Sequence, residues 1–225
     1  HVASFSPTAV SAPQDTPKNY SMGCHQEFHE TSFEACVFGD PDSDYVVALV
    51  GDSHAAQWLP ALAPIAKAQG WRLETYTKSS CPLIGTAIAK GGQTFYSECY
   101  EWNQKAVEYL TGPDAPDHVI VSSSLYGTAI PGDSQVRTGS VSEGYTMVWN
   151  KLKGAGVPVT VLLDTPHPQI NVPECVAENG DRLSECAVPR EEAMRNGAQQ
   201  QLSAAQAVGA PTLDLTDSIC PHDQC

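Results

Sequence analysis

The chain has 225 residues, with 12 basic and 26 acidic side chains and a net charge of −14. That balance excludes a nucleic-acid-binding protein that relies on a basic surface. The length suits one domain with a sizeable core, and no apolar run reaches the roughly 18 residues of a membrane-spanning helix.

The first 22 residues are rich in Ser, Thr, Pro and Ala and lack periodicity, so they read as a linker or extended arm. The chain opens at His1 with neither an initiating Met nor a visible signal peptide, so it reads as a piece of something longer. Cys24 and Cys36 bracket a polar loop. Residues 1–40 therefore read as an extension carrying a disulfide loop, and 41–225 as an α/β domain. His25 and His29 stand four apart and could share a helix face as metal ligands. No third ligand accompanies them, so a solvated loop is the better reading and no metal site is expected. Asp40, Asp42 and Asp44 read as an acidic turn, because a calcium loop needs a longer ligand pattern.

Tyr45 to Val50 is an apolar, mostly β-branched run of the kind buried on both faces of a parallel sheet. Gly51 permits a sharp turn, and Trp58, Leu59, Leu62, Ile65 and Ala66 then recur at helical spacing up to a C-cap at Gly70. Ser53 thus falls between the carboxyl end of a central strand and the start of a helix, where doubly wound sheets bind ligands. A serine there can be a nucleophile or can simply cap the helix. Further along, strands are expected at 71–76, 118–121, 157–163 and 212–215. Helices are expected at 95–110, 141–152 and 190–208, with a Gly/Ser/Thr loop over 127–140. Five alternations of strand and helix predict a five-stranded parallel sheet in the order 2-1-3-4-5, with helices on both faces.

Eight cysteines fall as sequence neighbours: Cys24 and Cys36, Cys81 and Cys99, Cys175 and Cys186, Cys220 and Cys225. Nearest-neighbour pairing is the simplest arrangement, because each pair brackets a polar, loop-like stretch. Four disulfides imply an oxidising, extracytoplasmic compartment, and each short loop contributes roughly 2–3 kcal/mol in the chain-entropy model.

The strand, Gly51-Asp52-Ser53-His54 and the helix carrying Gln57-Trp58-Leu59-Pro60 together resemble the first block of the SGNH hydrolase superfamily. More narrowly, they resemble the SGNH domains fused to membrane acyltransferases of the acyltransferase-3 family. Thr77-Lys78-Ser79-Ser80-Cys81-Pro82, Asp164-Thr165-Pro166-His167-Pro168, Val172-Pro173-Glu174-Cys175 and Cys220-Pro221-His222-Asp223-Gln224-Cys225 extend the likeness across most of residues 20–225. The α/β-hydrolase elbow is a poorer match, because Ala55 stands where its second Gly belongs.

The resemblance implies a three-layer, flavodoxin-like SGNH fold and a Ser53 acyl-enzyme. It also implies an upstream membrane acyltransferase domain, and transfer of an acyl group, often acetyl, to a cell-envelope glycan or glycolipid. No cofactor is implied. Oxyanion donors are expected from the Ser53 N–H and from two rim loops, at Ser80 and Ser124. The Gly-x-Asn-Asp of SGNH enzymes is replaced after the third strand by Ser123-Ser124-Leu125-Tyr126. Asp52 is expected to bond backbone around the turn, and His54 to shape it or pack on a neighbouring loop. The family base comes from an Asp-x-x-His motif, expected here beyond Cys225. The internal Asp164-Thr165-Pro166-His167 makes His167 the other candidate.

Three alternatives remain at this stage. One is an esterase using the same serine on water. Another is a non-catalytic glycan-binding or positioning module. The third is a metallophosphoesterase, because Asp52-Ser53-His54 matches its opening Asp-x-His; its later Gly-Asn-His is absent. The loop from Gln169 to Pro189 is the expected place for acceptor contacts.

Overall fold

The apolar run after Asp44 forms the central strand. The computed structural model describes residues 6–90, 94–124, 128–129, 139–194 and 198–225. The chain divides into two compact units, of which the larger comprises Pro17–Asp164 and Gly197–Leu213.

Within the larger unit, five parallel strands stand in the order β4 (Arg72–Lys78), β3 (Val46–Gly51), β7 (His118–Ser122), β9 (Val159–Leu162) and β10 (Thr212–Leu213). This is the 2-1-3-4-5 order expected from the alternation of strands and helices. The expected strand count is corrected, since among the described residues the sheet has seven strands rather than five. The stretch read as a stapled loop supplies β1 (His25–Gln26), parallel to β4, and β2 (Cys36–Gly39), antiparallel to it. Both are short and polar or mixed, so no apolar run announces them. A second sheet joins β5 (Ile88–Lys90) to β6 (Thr94–Phe95) and β8 (Thr128–Ala129). Most of the loop expected over 127–140 lies outside the described residues.

The helix after Gly51 is two helices, α2 (Ser53–Ala56) and α3 (Leu59–Gln69). Pro60 has no N–H to continue the first and is favoured in the opening turn of the second, so the break falls at Gln57 and Trp58. Gly70 closes α3 in the left-handed conformation, at φ 67°. Ala55, Leu59 and Ala66 pack on Val47, Leu49 and Leu73 on one face of the sheet. Helices α4 (Ser97–Leu110), α5 (Val141–Gly154) and α8 (Ala198–Val208) bury Trp102, Trp149 and Ala204 in a core shared with Val50, Val121 and Val161. The expected helix over 190–208 is described as α8 and a separate short α7 (Arg190–Ala193). Ser140 starts α5 with a capping box: its Oγ accepts the Glu143 N–H at 3.1 Å, and Glu143 Oε2 accepts the Ser140 N–H at 2.7 Å.

Lys78 ends β4 fully buried. Its ammonium donates to the carbonyls of Glu27, Phe28 and Glu30 at 2.6, 3.0 and 2.5 Å. These bonds tie the loop after β1 to the sheet. Lys78→Met would fill the space but strand three carbonyl acceptors. It is expected to cost about 3 kcal/mol or more, read as a lower urea midpoint at unchanged slope.

The smaller unit consists of the first 16 residues, Thr165–Asn196 and Asp214–Cys225. Its described elements include α6 (Val172–Glu178), α7 and α9 (Thr216–Ile219). The loop before Pro189 thus contains a helix, held by Cys175–Cys186. Val188 and Cys225 exchange backbone hydrogen bonds at 3.1 and 2.9 Å, and the guanidinium of Arg190 pairs with Asp217. The other three disulfides are Cys24–Cys36, Cys81–Cys99 and Cys220–Cys225. No helix among the described residues is long and apolar enough to cross a membrane.

Candidate active site

Gly51 is the last residue of β3, and its φ of +151° lies outside the range most side chains accept. A Cβ there would fall onto the carbonyl oxygen of Ser122 on β7 and 3.0 Å from the Ala55 methyl. The close approach carries the chain from strand to helix without a loop. Asp52 follows as the N-cap of α2, and Ser53 takes the first helical position, partly exposed.

Asp52 is 1% exposed, yet its carboxylate accepts three hydrogen bonds from protein. The His54 N–H donates to it at 2.8 Å, the Ser124 N–H at 3.0 Å and the Ser124 hydroxyl at 3.1 Å. Burial pushes its pKa up to about 6, against the opposing effects of the His54 charge and these donors. Asp52 therefore bonds the backbone of His54 on its own turn and of Ser124 beyond β7. It also spends the N–H and hydroxyl of Ser124, a residue expected to serve an oxyanion.

The imidazole of His54 reaches across the sheet. Its Nδ1 bonds the carboxylate of Asp164, the second residue beyond the fourth parallel strand and 110 positions away in sequence. Burial lowers the His54 pKa; the hydrogen bond and charge of Asp164, with the charge of Asp52, outweigh it and leave it raised. Asp164 is itself held by Gln201 on α8. Gln201 Oε1 accepts the Asp164 N–H at 3.3 Å, and Gln201 Nε2 donates to Ser123 O and Oγ, each at 2.9 Å. Tyr145 Oη meets Ser123 Oγ at 2.8 Å. A polar network thus runs beneath Ser53, from Asp52 to Ser124 and from Ser123 through Gln201 to Asp164 and His54. Gln201 and Tyr145 carry no local motif, and only the fold brings them to Asp164 and Ser123.

Ser80 is exposed on the turn closed by the Cys81 N–H to Lys78 O bond of 3.1 Å. It has φ 49°, the described non-glycine residue with a positive φ. His167 belongs to the smaller unit. There its N–H donates to Ala193 O at 2.8 Å, and Gln169 Nε2 lies 3.2 Å from its Nδ1.

The two histidines weighed as metal ligands have separate partners. His25 is buried, stacked on Tyr20 at 4.0 Å, and bonded to Thr77 Oγ1 at 2.9 Å and Ser79 Oγ at 3.2 Å. Burial, aided by the Lys78 charge, lowers its pKa to about 4. His29 is exposed, 3.8 Å from Glu98. Among the described residues no three His, Cys, Asp or Glu side chains are grouped as metal ligands. His118 Nε2 bonds Thr160 Oγ1 at 2.8 Å, at the rim of an apolar cavity of about 210 Å³. That cavity opens at the amino ends of β7 and β9, the end of the sheet opposite Ser53.

The rim geometry suits acyl chemistry: an accessible hydroxyl at a strand-to-helix turn, a buried carboxylate that fixes the turn, and an imidazole with a carboxylate partner beside it. No curated protein matches the chain. Among solved structures, the periplasmic domain of the lipopolysaccharide acetyltransferase of Salmonella ser. Paratyphi A is similar at a TM-score of 0.55. It is 12% identical, over 80% of this chain and 69% of that one. A putative acylhydrolase from Bacteroides fragilis aligns over 89% of this chain and 77% of its own, at 12% identity and a TM-score of 0.41. The first of these likenesses supports the α/β fold. The model of the SGNH domains that are fused to AT3 domains matches residues 23–225. The chain belongs to that family, the SGNH domains fused to AT3 domains.

Proposed function

We propose that this chain is the acyl-transferring domain of an extracytoplasmic O-acyltransferase, with Ser53 as nucleophile and an envelope glycan or glycolipid as acceptor. The observation that carries the reading is the placement of Ser53. It stands partly exposed at the carboxyl end of the central strand, on a turn fixed by the buried Asp52. Ser53 Oγ forms a bond to the acyl carbon while its proton passes to an imidazole base, which hands it to the departing donor as the donor–acyl bond breaks. An acceptor hydroxyl then attacks the ester, its proton passes to the same base, and the base returns it to Ser53 Oγ as the Ser53–acyl bond breaks. The fusion of the family to AT3 domains supports a membrane-embedded partner that supplies the acyl group. Four disulfides support the oxidising side of the membrane. Transfer of acetyl to lipopolysaccharide, for which the Salmonella domain is named, is the reaction class taken as the guide.

The test is intact-mass analysis after incubation with p-nitrophenyl acetate. One acetyl group is expected, mapping to Ser53 by peptide digestion and absent from Ser53→Ala. Equal labelling of Ser53→Ala would overturn the assignment. Comparing His167→Ala with a chain extended past Cys225 identifies the base: loss in the variant assigns His167, and a large gain on extension assigns a residue beyond Cys225. Release of free acetate without an acceptor would reveal hydrolysis at the same serine.

A further inference from the structure

The side chain of His54 has work that turn geometry alone does not require. Its backbone N–H already satisfies Asp52. Its ring is carried from the end of β3 towards the end of β9, two strand spacings away, or roughly 10 Å. The ring therefore spans the carboxyl end of β7. That loop has Ser122, Ser123 and Ser124, all buried; Ser123 is engaged with Tyr145 and Gln201, and Ser124 with Asp52. None of these bonds leaves the Ser124 N–H for a ligand. The His54 side chain is 20% exposed, against 2% for Asp164. Its Nδ1 is occupied by Asp164, and its Nε2 meets no hydrogen-bond partner among the described residues.

We infer that the His54–Asp164 pair is a fixed donor for the acyl oxygen: Asp164 holds Nδ1–H, and Nε2–H binds the oxyanion that forms when Ser53 attacks. The inference rests on Ser53 being the nucleophile. Asp164 acts through His54 and is a positioning residue, steadied by Gln201. A ring with Nδ1–H on a carboxylate offers a second donor only as the imidazolium. The raised His54 pKa fits that form, and the charged groups acting on the ring are Asp52 and Asp164. Tyr20 and Tyr145 lie in the field of Asp52, and both have raised pKa values that keep them neutral. A charged donor in a water-poor site stabilises an oxyanion more than a neutral one does.

The experiment measures the rate of Ser53 acetylation by p-nitrophenyl acetate against pH, in the chain as it stands and in His54→Gln and Asp164→Asn. Circular dichroism melts check that each variant is folded. His54→Gln is expected to slow acetylation about 100-fold, the usual effect of losing one oxyanion donor. In the unsubstituted chain the rate should fall on the alkaline side, as the imidazolium loses its proton. Asp164→Asn removes the charge that favours the imidazolium, so this alkaline limb should move to lower pH. A merely structural role for Asp164 would lower the melt without moving the limb. Acetylation of Ser53 at an unchanged rate in a folded His54→Gln would overturn the donor role and leave the nucleophile standing. A rate that rises through the His54 titration and vanishes in His54→Gln would make it the base, again overturning the donor role. Failure to acetylate Ser53 both in the chain as it stands and in one extended past Cys225 would overturn the nucleophile and the donor together.

Discussion

Gly51→Ala is expected to lose about 3 kcal/mol or more of stability, and acetylation of Ser53 with it. The new methyl would occupy the space of the Ser122 carbonyl oxygen, so β3 and β7 must part or the turn must rebuild. Either movement displaces Ser53. The control is Gly70→Ala, which also faces a left-handed φ, of +67°, but opens into empty space. It should cost only about 1 kcal/mol and leave the serine untouched. Urea unfolding of the two variants gives the comparison. Equal losses would mean that the approach of β7 is not what requires glycine at position 51.

The second large effect concerns Asp52. Its pKa in the folded chain is about 6, against an ordinary 3.8, because burial penalises the carboxylate. The folded state therefore holds this proton to a higher pH than the unfolded state does. Its contribution to stability is fully present below the unfolded value and is lost as pH rises through the folded one. A displacement of this size corresponds to about 3 kcal/mol. Asp52→Asn has no proton to lose at this position. Between roughly pH 4 and pH 7 the unsubstituted chain should lose about 3 kcal/mol relative to the variant. Other carboxylates affect both chains alike and cancel in the difference. Parallel stability curves over that window would show that the three donors around Asp52 fully offset its burial. The Asn variant should nevertheless be the poorer catalyst, since its amide nitrogen would face the Ser124 donors. Asp52 thus exchanges stability at neutral pH for a fixed turn at Ser53.

The strand, turn and helix from Tyr45 to Ala66 were legible because each rests on a local cause: a β-branched run, a glycine that the turn needs, and apolar spacing. The order of the five parallel strands followed from alternation and the handedness of crossovers. Local signals ended where pairing was supplied from afar. His25-Gln26 and Cys36-Val37-Phe38-Gly39 become strands only because β4 offers them an unpaired edge. The helix break at Trp58 was written in Pro60, whose missing N–H outweighs the continuing apolar pattern. Within the site, Asp52, Ser53 and His54 could be found by motif. Asp164 could be found as part of Asp-x-x-His, but its bond to His54 joins it to a histidine 110 positions earlier, outside that motif. Spacing along the chain cannot report such a bond, because it is made across strand ends that folding sets side by side.

The placement of β1 and β2 has a consequence for the molecule among its neighbours. They share one edge of β4 end to end: β2 covers Arg72 to Thr75 in the antiparallel sense, and β1 covers Thr77 and Lys78 in the parallel sense. Cys24–Cys36 clamps the two where one hands over to the other. A bare β4 would offer a row of unpaired amides and carbonyls to any extended chain that met it. The clamp makes that offer conditional on redox state. While the bond is closed the edge is blunted against strand addition; once it is reduced, the cover can peel away and the sheet acquires a template for self-association.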